Sequence, residues 1–315
     1  VGRFVALGGR AVTEQRFQPF EVRMSAQHPI IAITGSSGAG TTSVTRTFES
    51  IFRREGVAAA IIEGDSFHRY DRKAMKLAMA EAEAEGNRQF SHFGAEANLF
   101  AELEQLFRSY AETGAGQCRK YLHNAEEAAP YRQEPGTFTP WEPVPASELL
   151  FYEGLHGGVT TDRVDIARHA DLLIGVVPVI NLEWIQKIHR DRSTRGYSTE
   201  AVTDVILRRM HEYVHYICPQ FTHTHINFQR VPVVDTSDPF IARTIPTPDE
   251  SLVVIRFADP RGFDFPYLLS MLHDSFMSRA NTLVVPGGKM ELAMQLIFTP
   301  MIMRLVERRK QLLAA

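Results

Sequence analysis

Short apolar runs alternate with longer stretches of helical period along most of this chain. "PIIAITG" (29–35), "AAAIIEGD" (58–65), "ELLFYEG" (148–154) and "DLLIGVVPVI" (171–180) are rich in aliphatic residues and read as buried strands. After the first, "TSVTRTFESIFRREG" sets Val44, Phe48, Ile51 and Phe52 on one helical face and stops at Gly56. Helices are predicted over 72–85 and 95–112; the first, rich in alanine and charge, reads as solvated and lid-like. Further helices are predicted near 181–192, 199–217 and 266–277, and strands at "FQRVPVVD" (228–235), "SLVVIRF" (251–257) and "NTLVVPG" (281–287). The chain closes on "KMELAMQLIFTPMIMRLVERRK", a helix that Pro300 is expected to bend.

This alternation predicts an α/β fold with a mostly parallel (mixed) sheet and helices on both faces. No internal repeat or long linker divides the chain, so residues 24–315 are expected to form one domain. The least regular span, 113–147, is rich in Pro, Gly and Glu and reads as an insertion near the site. With 315 residues, 44% hydrophobic and 23% charged, the composition is that of a globular protein with a sizeable core. A net charge of -3 gives no general attraction to nucleic acid or anionic membrane. The longest apolar run, 172–180, is too short to span a bilayer. Cys118 and Cys218 stand in no metal-ligand spacing and are expected to be reduced thiols of a cytoplasmic protein. Residues 1–23 carry four arginines, two acids and no apolar core of a secretory signal. They read as an extension without fixed structure ahead of a natural start at Met24, with only a weak case for a transit peptide.

The sharpest chemistry lies in "AITGSSGAGTTSV" (32–44), which has the shape of a phosphate-binding loop between an apolar strand and an amphipathic helix. Gly35, Ser36, Ser37, Gly38, Ala39, Gly40, Thr41, Thr42 and Ser43 are the candidate ATP cradle. Their backbone N–H groups and the helix N-terminus favour a phosphate. Thr42 or Ser43 offers a hydroxyl to Mg2+. The position that usually holds lysine is Thr41, so the loop is electrostatically incomplete. A plain turn between strand and helix is the competing reading.

Cations are concentrated in "WIQKIHRDRSTRGYSTEAV" (184–202), where Lys187, Arg190, Arg192 and Arg195 surround Asp191 and Gly196 breaks the helix. Such a run is commonly just a solvated face; beside a loop lacking lysine it reads better as a lid, near 187–200, that brings charge to the phosphates. Among the acids, Asp65 follows a strand end and is placed to take a proton from an attacking hydroxyl. Glu153 ends another strand and, with Asp191, suits the few carboxylates a magnesium nucleotide needs. "DSFHRYDRKAMK" (65–76) sets His68, Arg69, Arg72, Lys73 and Lys76 directly after Asp65, which suits an acceptor that is itself phosphorylated.

Together "GSSGAGTTSV", "EGDSFHRYDR", "FSHFGAEAN", "LLFYEGLHG", "GVVPVINLEWIQKIHRDRSTRGYSTEAVTDVILRRMHEYVH" and "INFQRVPVVDTSDPFIAR" closely resemble the bacterial phosphoribulokinases of the proteobacterial type, from about residue 25 to the end. The resemblance implies ATP- and Mg2+-dependent phosphorylation of D-ribulose 5-phosphate to the 1,5-bisphosphate for the Calvin cycle. By the same resemblance Asp65 is the catalytic base and Asp191 a second catalytic acid that ligates the metal, with Glu153 the strand-end acid. His68, Arg72 and Lys76 are tied to the sugar phosphate, and Lys187, Arg190 and Arg195 are lid cations. It also implies a homo-oligomer, an octamer, with NADH as activator and AMP as inhibitor. Arg54, Arg208, Arg209, Arg256 and Arg279 then stand at effector or intersubunit positions, unless they are ordinary surface ion-pair partners. Thr41 is typical of this branch, and Ser36 and Ser37 leave no cysteine in the loop for the thiol control of plant-type members.

Two rivals remain. A uridine kinase-like nucleoside kinase shares the loop and the Asp-Ser-Phe motif but predicts a neutral acceptor pocket, against His68, Arg72 and Lys76. A non-catalytic nucleotide sensor predicts loss of at least one acid among Asp65, Glu153 and Asp191, and all three are present.

Overall fold

The computed structural model describes residues 27–36 and 41–314, and of residues 41–43 and 194–195 the backbone alone. The expected extension 1–23 and the loop positions Ser37, Gly38, Ala39 and Gly40 lie outside the described residues.

Strand β1 (Ile30–Thr34) is buried at every position, as a strand with both faces covered must be. Helix α1 (Thr41–Glu55) follows, then β2 (Ala59–Glu63), α2 (Arg72–Ala84) and α3 (Phe100–Thr113). The irregular span holds β3 (Gln117–Cys118), α4 (Ala125–Ala128), a 3-10 turn (Ala129–Tyr131) and β4 (Glu142–Pro143), with β3 and β4 paired on each other. The frame resumes with β5 (Leu149–Gly154), β6 (Leu172–Val177), α5 (Ile180–Arg195), α6 (Thr199–Glu212), β7 (Ile226–Pro232) and β8 (Ser251–Phe257). It ends with α7 (Phe265–Met271), β9 (Phe276–Arg279), β10 (Thr282–Pro286) and α8 (Met290–Ala314).

Among the described residues the main sheet has eight strands in the order β2-β5-β1-β6-β7-β8-β10-β9. The pairs from β2 to β7 are parallel, and β8, β10 and β9 extend the sheet antiparallel, so the sheet is mixed as the alternation predicted. Alternate residues of β1 serve two cores. Ile31 and Ile33 pack with Phe48 of α1, Phe151 and Phe298 of α8; Ile30 and Ala32 pack with Leu103, Phe107 and Tyr110 of α3. The predicted face of α1 is the buried one: Val44, Phe48 and Ile51 have no exposure. α8 continues through Pro300, with Ile297 and Phe298 before it and Ile302 and Val306 after it buried in the same core. That packing offsets the hydrogen bond a proline cannot make.

Three of the expected helices differ from the structure, each for a local reason. The predicted helix over 95–112 is a single 3-10 turn (Ala95–Ala97) and then α3, because Asn98 is extended and its amide is bonded to the carbonyls of His92 and Gly94. The helix expected over 266–277 ends at Met271; Asp274 takes a left-handed φ of 64°, and residues 276–279 turn back as an edge strand. The stretch expected as helix over 199–217 widens into a π turn at Tyr213–Ile217. Gly196 does break the helix, as expected: at φ 68° it caps α5, and Ser198 caps α6.

Candidate active site

β1, β2, β5 and β6 run parallel, so their carboxyl ends share one edge of the sheet. There the Gly35 N–H donates to the carbonyl of Gly154 at 3.2 Å. Glu153 registers between Ile33 of β1 and Glu63 of β2. Asp65 follows two residues later on a 3-10 turn, Gly64–Phe67. A Cβ on Gly64 would fall 2.7 Å from the Cα of Gly154, so only glycine lets the Asp65 turn lie against the end of β5. The strand order thus gathers the glycine loop, the proposed base and the strand-end acid.

The acceptor side is built around Asp65. Its Oδ1 lies 3.2 Å from His68 Nε2 and its Oδ2 3.9 Å from His123 Nε2, which also reaches Glu63 at 3.7 Å. Burial raises the Asp65 carboxyl, but the His68 hydrogen bond and the neighbouring imidazoles more than offset it and hold the group well below the carboxylate range. Burial lowers His68, yet Asp65 and Asn98 bonded to its ring leave its affinity for the proton raised. Both ring nitrogens of His68 are occupied, Nδ1 by Asn98 Oδ1 at 2.8 Å, and the residue is buried. Arg72, the first residue of α2, is exposed; its Nη2 donates to the His123 carbonyl at 2.7 Å and its guanidinium also bonds Tyr121. Lys76 lies one turn along the same exposed face of α2.

Across the site, α5 turns a buried acid–base–acid row inward at four-residue spacing: Glu183, Lys187 and Asp191. Lys187 Nζ lies 2.5 Å from Asp191 Oδ2, and Arg190 Nε lies 3.3 Å from Oδ1. Burial, with help from the Arg209 charge, pushes Lys187 down to about 8 against the pull of Asp191. Lys187 and Arg190, both expected as lid cations, therefore meet Asp191; the Arg195 side chain lies outside the described residues. Glu183 accepts hydrogen bonds from Ser36 at the start of the glycine loop and from the Tyr213 hydroxyl at 3.3 Å, which ties α5 to the segment that follows β1.

Of the arginines expected at effector positions, Arg209 stands beside the site. It lies 5.2 Å over the Phe93 ring, and its charge acts on Lys187, Glu183 and His68. Arg208 pairs with Glu83 of α2 at 2.9 Å. Arg54 bonds Glu55, Gln295 and Thr299 near α8, while Arg256 and Arg279 both register against Thr282 of β10. These three belong to other parts of the fold.

Several side chains at the site carried no sequence signal strong enough to single them out. Arg119 lies over the Phe138 ring at 3.7 Å and holds the carbonyls of Ser66 and His68 at 2.8 and 2.6 Å, clamping the Asp65 turn. His123 comes from the irregular span. Gln220 joins Thr34 Oγ1 (2.7 Å), the Gly158 N–H and the Leu155 carbonyl behind the strand ends. Glu183 was legible in hindsight, four residues before Lys187. Among the described residues no group of three or more His, Cys, Asp or Glu could hold a metal alone. Glu153 and Asp191 are hard oxygen donors that fit a magnesium ion taking its other ligands from nucleotide phosphates and water.

Comparison with known proteins gives a consistent pattern. A family model described as Phosphoribulokinase / Uridine kinase family matches residues 30–237. The chain is 75% identical over 289 residues to the chromosomal phosphoribulokinase of Cupriavidus necator, covering 91% of this chain and 99% of that protein. It is 68% identical to the phosphoribulokinase of Nitrobacter vulgaris, over 91% of this chain and 100% of the relative. The solved structure of phosphoribulokinase from Rhodobacter spheroides superposes with a TM-score of 0.83 at 63% identity, covering 90% of this chain and 99% of the other.

Proposed function

The chain belongs to the phosphoribulokinase/uridine kinase family, and from that membership we propose that it is the kinase that makes D-ribulose 1,5-bisphosphate for the Calvin cycle. It transfers the terminal phosphoryl group of ATP to the 1-hydroxyl of D-ribulose 5-phosphate. The observation that carries the choice of acceptor is Arg72 held on the carbonyl of His123, whose ring reaches Asp65, with Lys76 one turn on, in a chain this similar to proteins named for that activity. A uridine acceptor needs no such cations.

In this reading residues 24–315 are one kinase domain with its lid near 187–200, and residues 35–43 cradle the ATP phosphates. Lys187, Arg190 and Arg195 neutralise charge that spreads over the transferring group, and Arg72 and Lys76 hold the 5-phosphate. Asp65 accepts the hydroxyl proton as the sugar oxygen bonds to phosphorus and the bond to ADP breaks. Glu153, Asp191 and the Thr42 hydroxyl would hold Mg2+, which would supply charge neutralisation on the phosphates.

The enzyme is further taken to act in the cytoplasm as a homo-oligomer, an octamer, activated by NADH and inhibited by AMP through the five arginines. Sedimentation and activity titrations with each nucleotide test that part. For the reaction, the purified protein is assayed for ADP release with ribulose 5-phosphate and with uridine. Turnover with the sugar phosphate is expected; turnover with uridine alone overturns the assignment.

A further inference from the structure

The segment "FSHFGAEAN" (90–98) ends against His68, the partner of the base. Asn98 Nδ2 donates to the carbonyls of His92 at 2.9 Å and Gly94 at 2.7 Å. Both amide hydrogens are thereby committed, and turning the group over would set its oxygen against two carbonyl oxygens. Asn98 Oδ1 must therefore face His68 Nδ1, 2.8 Å away, and can only accept. His68 Nδ1 is the donor. A neutral ring would then turn a bare Nε2 lone pair toward Asp65 Oδ1 at 3.2 Å. We propose that Asn98 is a positioning residue that fixes His68 as an imidazolium ion-paired to Asp65, leaving Oδ2 of the base for the acceptor hydroxyl.

The surroundings support this assignment. The 91–94 loop is pinned to α6 through the hydrogen bond from Ser91 to Glu212, and a Cβ at Gly94 would displace the Glu212 carboxylate from its place. Arg119 fixes the His68 backbone through its carbonyl. The groups facing the pair are His92, with its ring centroid 4.6 Å from that of His68, His156 beyond Phe100, Arg209 from α6, and His123 with Glu63 beside Asp65. Burial holds His92 and His156 neutral, each at about 3, while bonding to Glu63 raises His123. Arg209 opposes protonation of His68, so a fixed Nδ1–H bond to Asn98 matters to the balance.

The kinetic part rests on the kinase reading above; the spectroscopic part does not. The full-length protein labelled with 15N-histidine is observed by NMR at neutral pH without substrates. Both ring nitrogens of His68 are expected to be protonated; a neutral ring, with its proton on either Nδ1 or Nε2, overturns the proposal. In Asn98→Ala the second proton is expected to leave His68 at lower pH. The alkaline limb of kcat/KM for ribulose 5-phosphate, where His68 gives up its second proton, should then move down by about one pH unit. A folded Asn98→Ala with unchanged His68 spectrum and pH profile overturns it, and if that variant does not fold the wild-type spectrum decides alone. A doubly protonated His68 in a protein that does not turn over ribulose 5-phosphate would sink the kinase assignment and leave this inference standing.

Discussion

Replacing Asp65 by Asn is the most informative perturbation, because its effects on chemistry and on folding separate by size. Asparagine keeps the shape and can still accept from His68, but its amide cannot take the hydroxyl proton. Loss of a general base costs up to about four decades in rate, roughly 5 kcal/mol of transition-state stabilisation. The folding cost is smaller. Breaking a fully buried pair costs about 3–5 kcal/mol, but the Asp65 side chain is 42% exposed, so the expected loss is nearer 1 kcal/mol. Its pH dependence has a definite sign. His68 is raised above its usual 6.5, so its part of the pair's stability is full below 6.5 and is lost as pH rises through the folded value. Asp65 is lowered, so its part is present above its usual 3.8 and is lost only in stronger acid. The stability gap between wild type and Asp65→Asn should thus be widest near pH 5–6 and narrow in alkali, measured by urea unfolding. Steady-state assays should show kcat down on the order of 10⁴-fold, with calorimetric ATP binding nearly intact. A variant keeping a tenth of the wild-type kcat refutes the role of Asp65.

Arg72→Ala should raise KM for ribulose 5-phosphate by about 10- to 100-fold with kcat much less changed, as expected for a charged hydrogen bond to a remote phosphate; an unchanged KM would take Arg72 out of the acceptor site. Asp191→Asn leaves the buried Lys187 ammonium without its carboxylate and should cost about 3–5 kcal/mol in urea unfolding, whereas Lys187→Met combined with Asp191→Leu should cost far less. Equal stability of the two variants would contradict a buried pair. Glu183→Ala strips the acceptor from Ser36 and Tyr213, at about 1–3 kcal/mol each, and should raise KM for ATP, while Glu183→Gln, which can still accept, should sit close to wild type. Identical ATP kinetics in the alanine variant would mean that α5 does not steady the loop.

What the sequence showed is what local pattern encodes. Aliphatic runs located β1, β2, β5 and β6, and a period of 3.6 residues placed Val44, Phe48 and Ile51 in the core. Because ligands collect at the carboxyl ends of parallel strands, Asp65 and Glu153 could be singled out before their strands were known to be neighbours. Gly196 marked the break between α5 and α6 through its left-handed φ. What stayed hidden depends on partners distant in the chain. Nothing near Lys187 says that its ammonium is buried against Asp191 rather than reaching outward, since a charged run looks the same solvated or enclosed. The edge strand β9 was read as helix because apolar spacing over 266–277 does not register the turn at Asp274. Asn98 breaks a helical pattern through two carbonyls it meets only after the 91–94 loop has folded. Arg119 and His123 come from a span with no period at all.

The most direct test is a crystal structure of the protein with a non-hydrolysable ATP analogue, Mg2+ and ribulose 5-phosphate. The sugar's 1-hydroxyl should lie within about 2.6–3.2 Å of Asp65 Oδ2, in line with the terminal phosphorus, with the 187–195 segment closed over the phosphates. A sugar bound with that hydroxyl turned away from Asp65, or phosphates seated beyond the reach of Lys187 and Arg190, would contradict the mechanism.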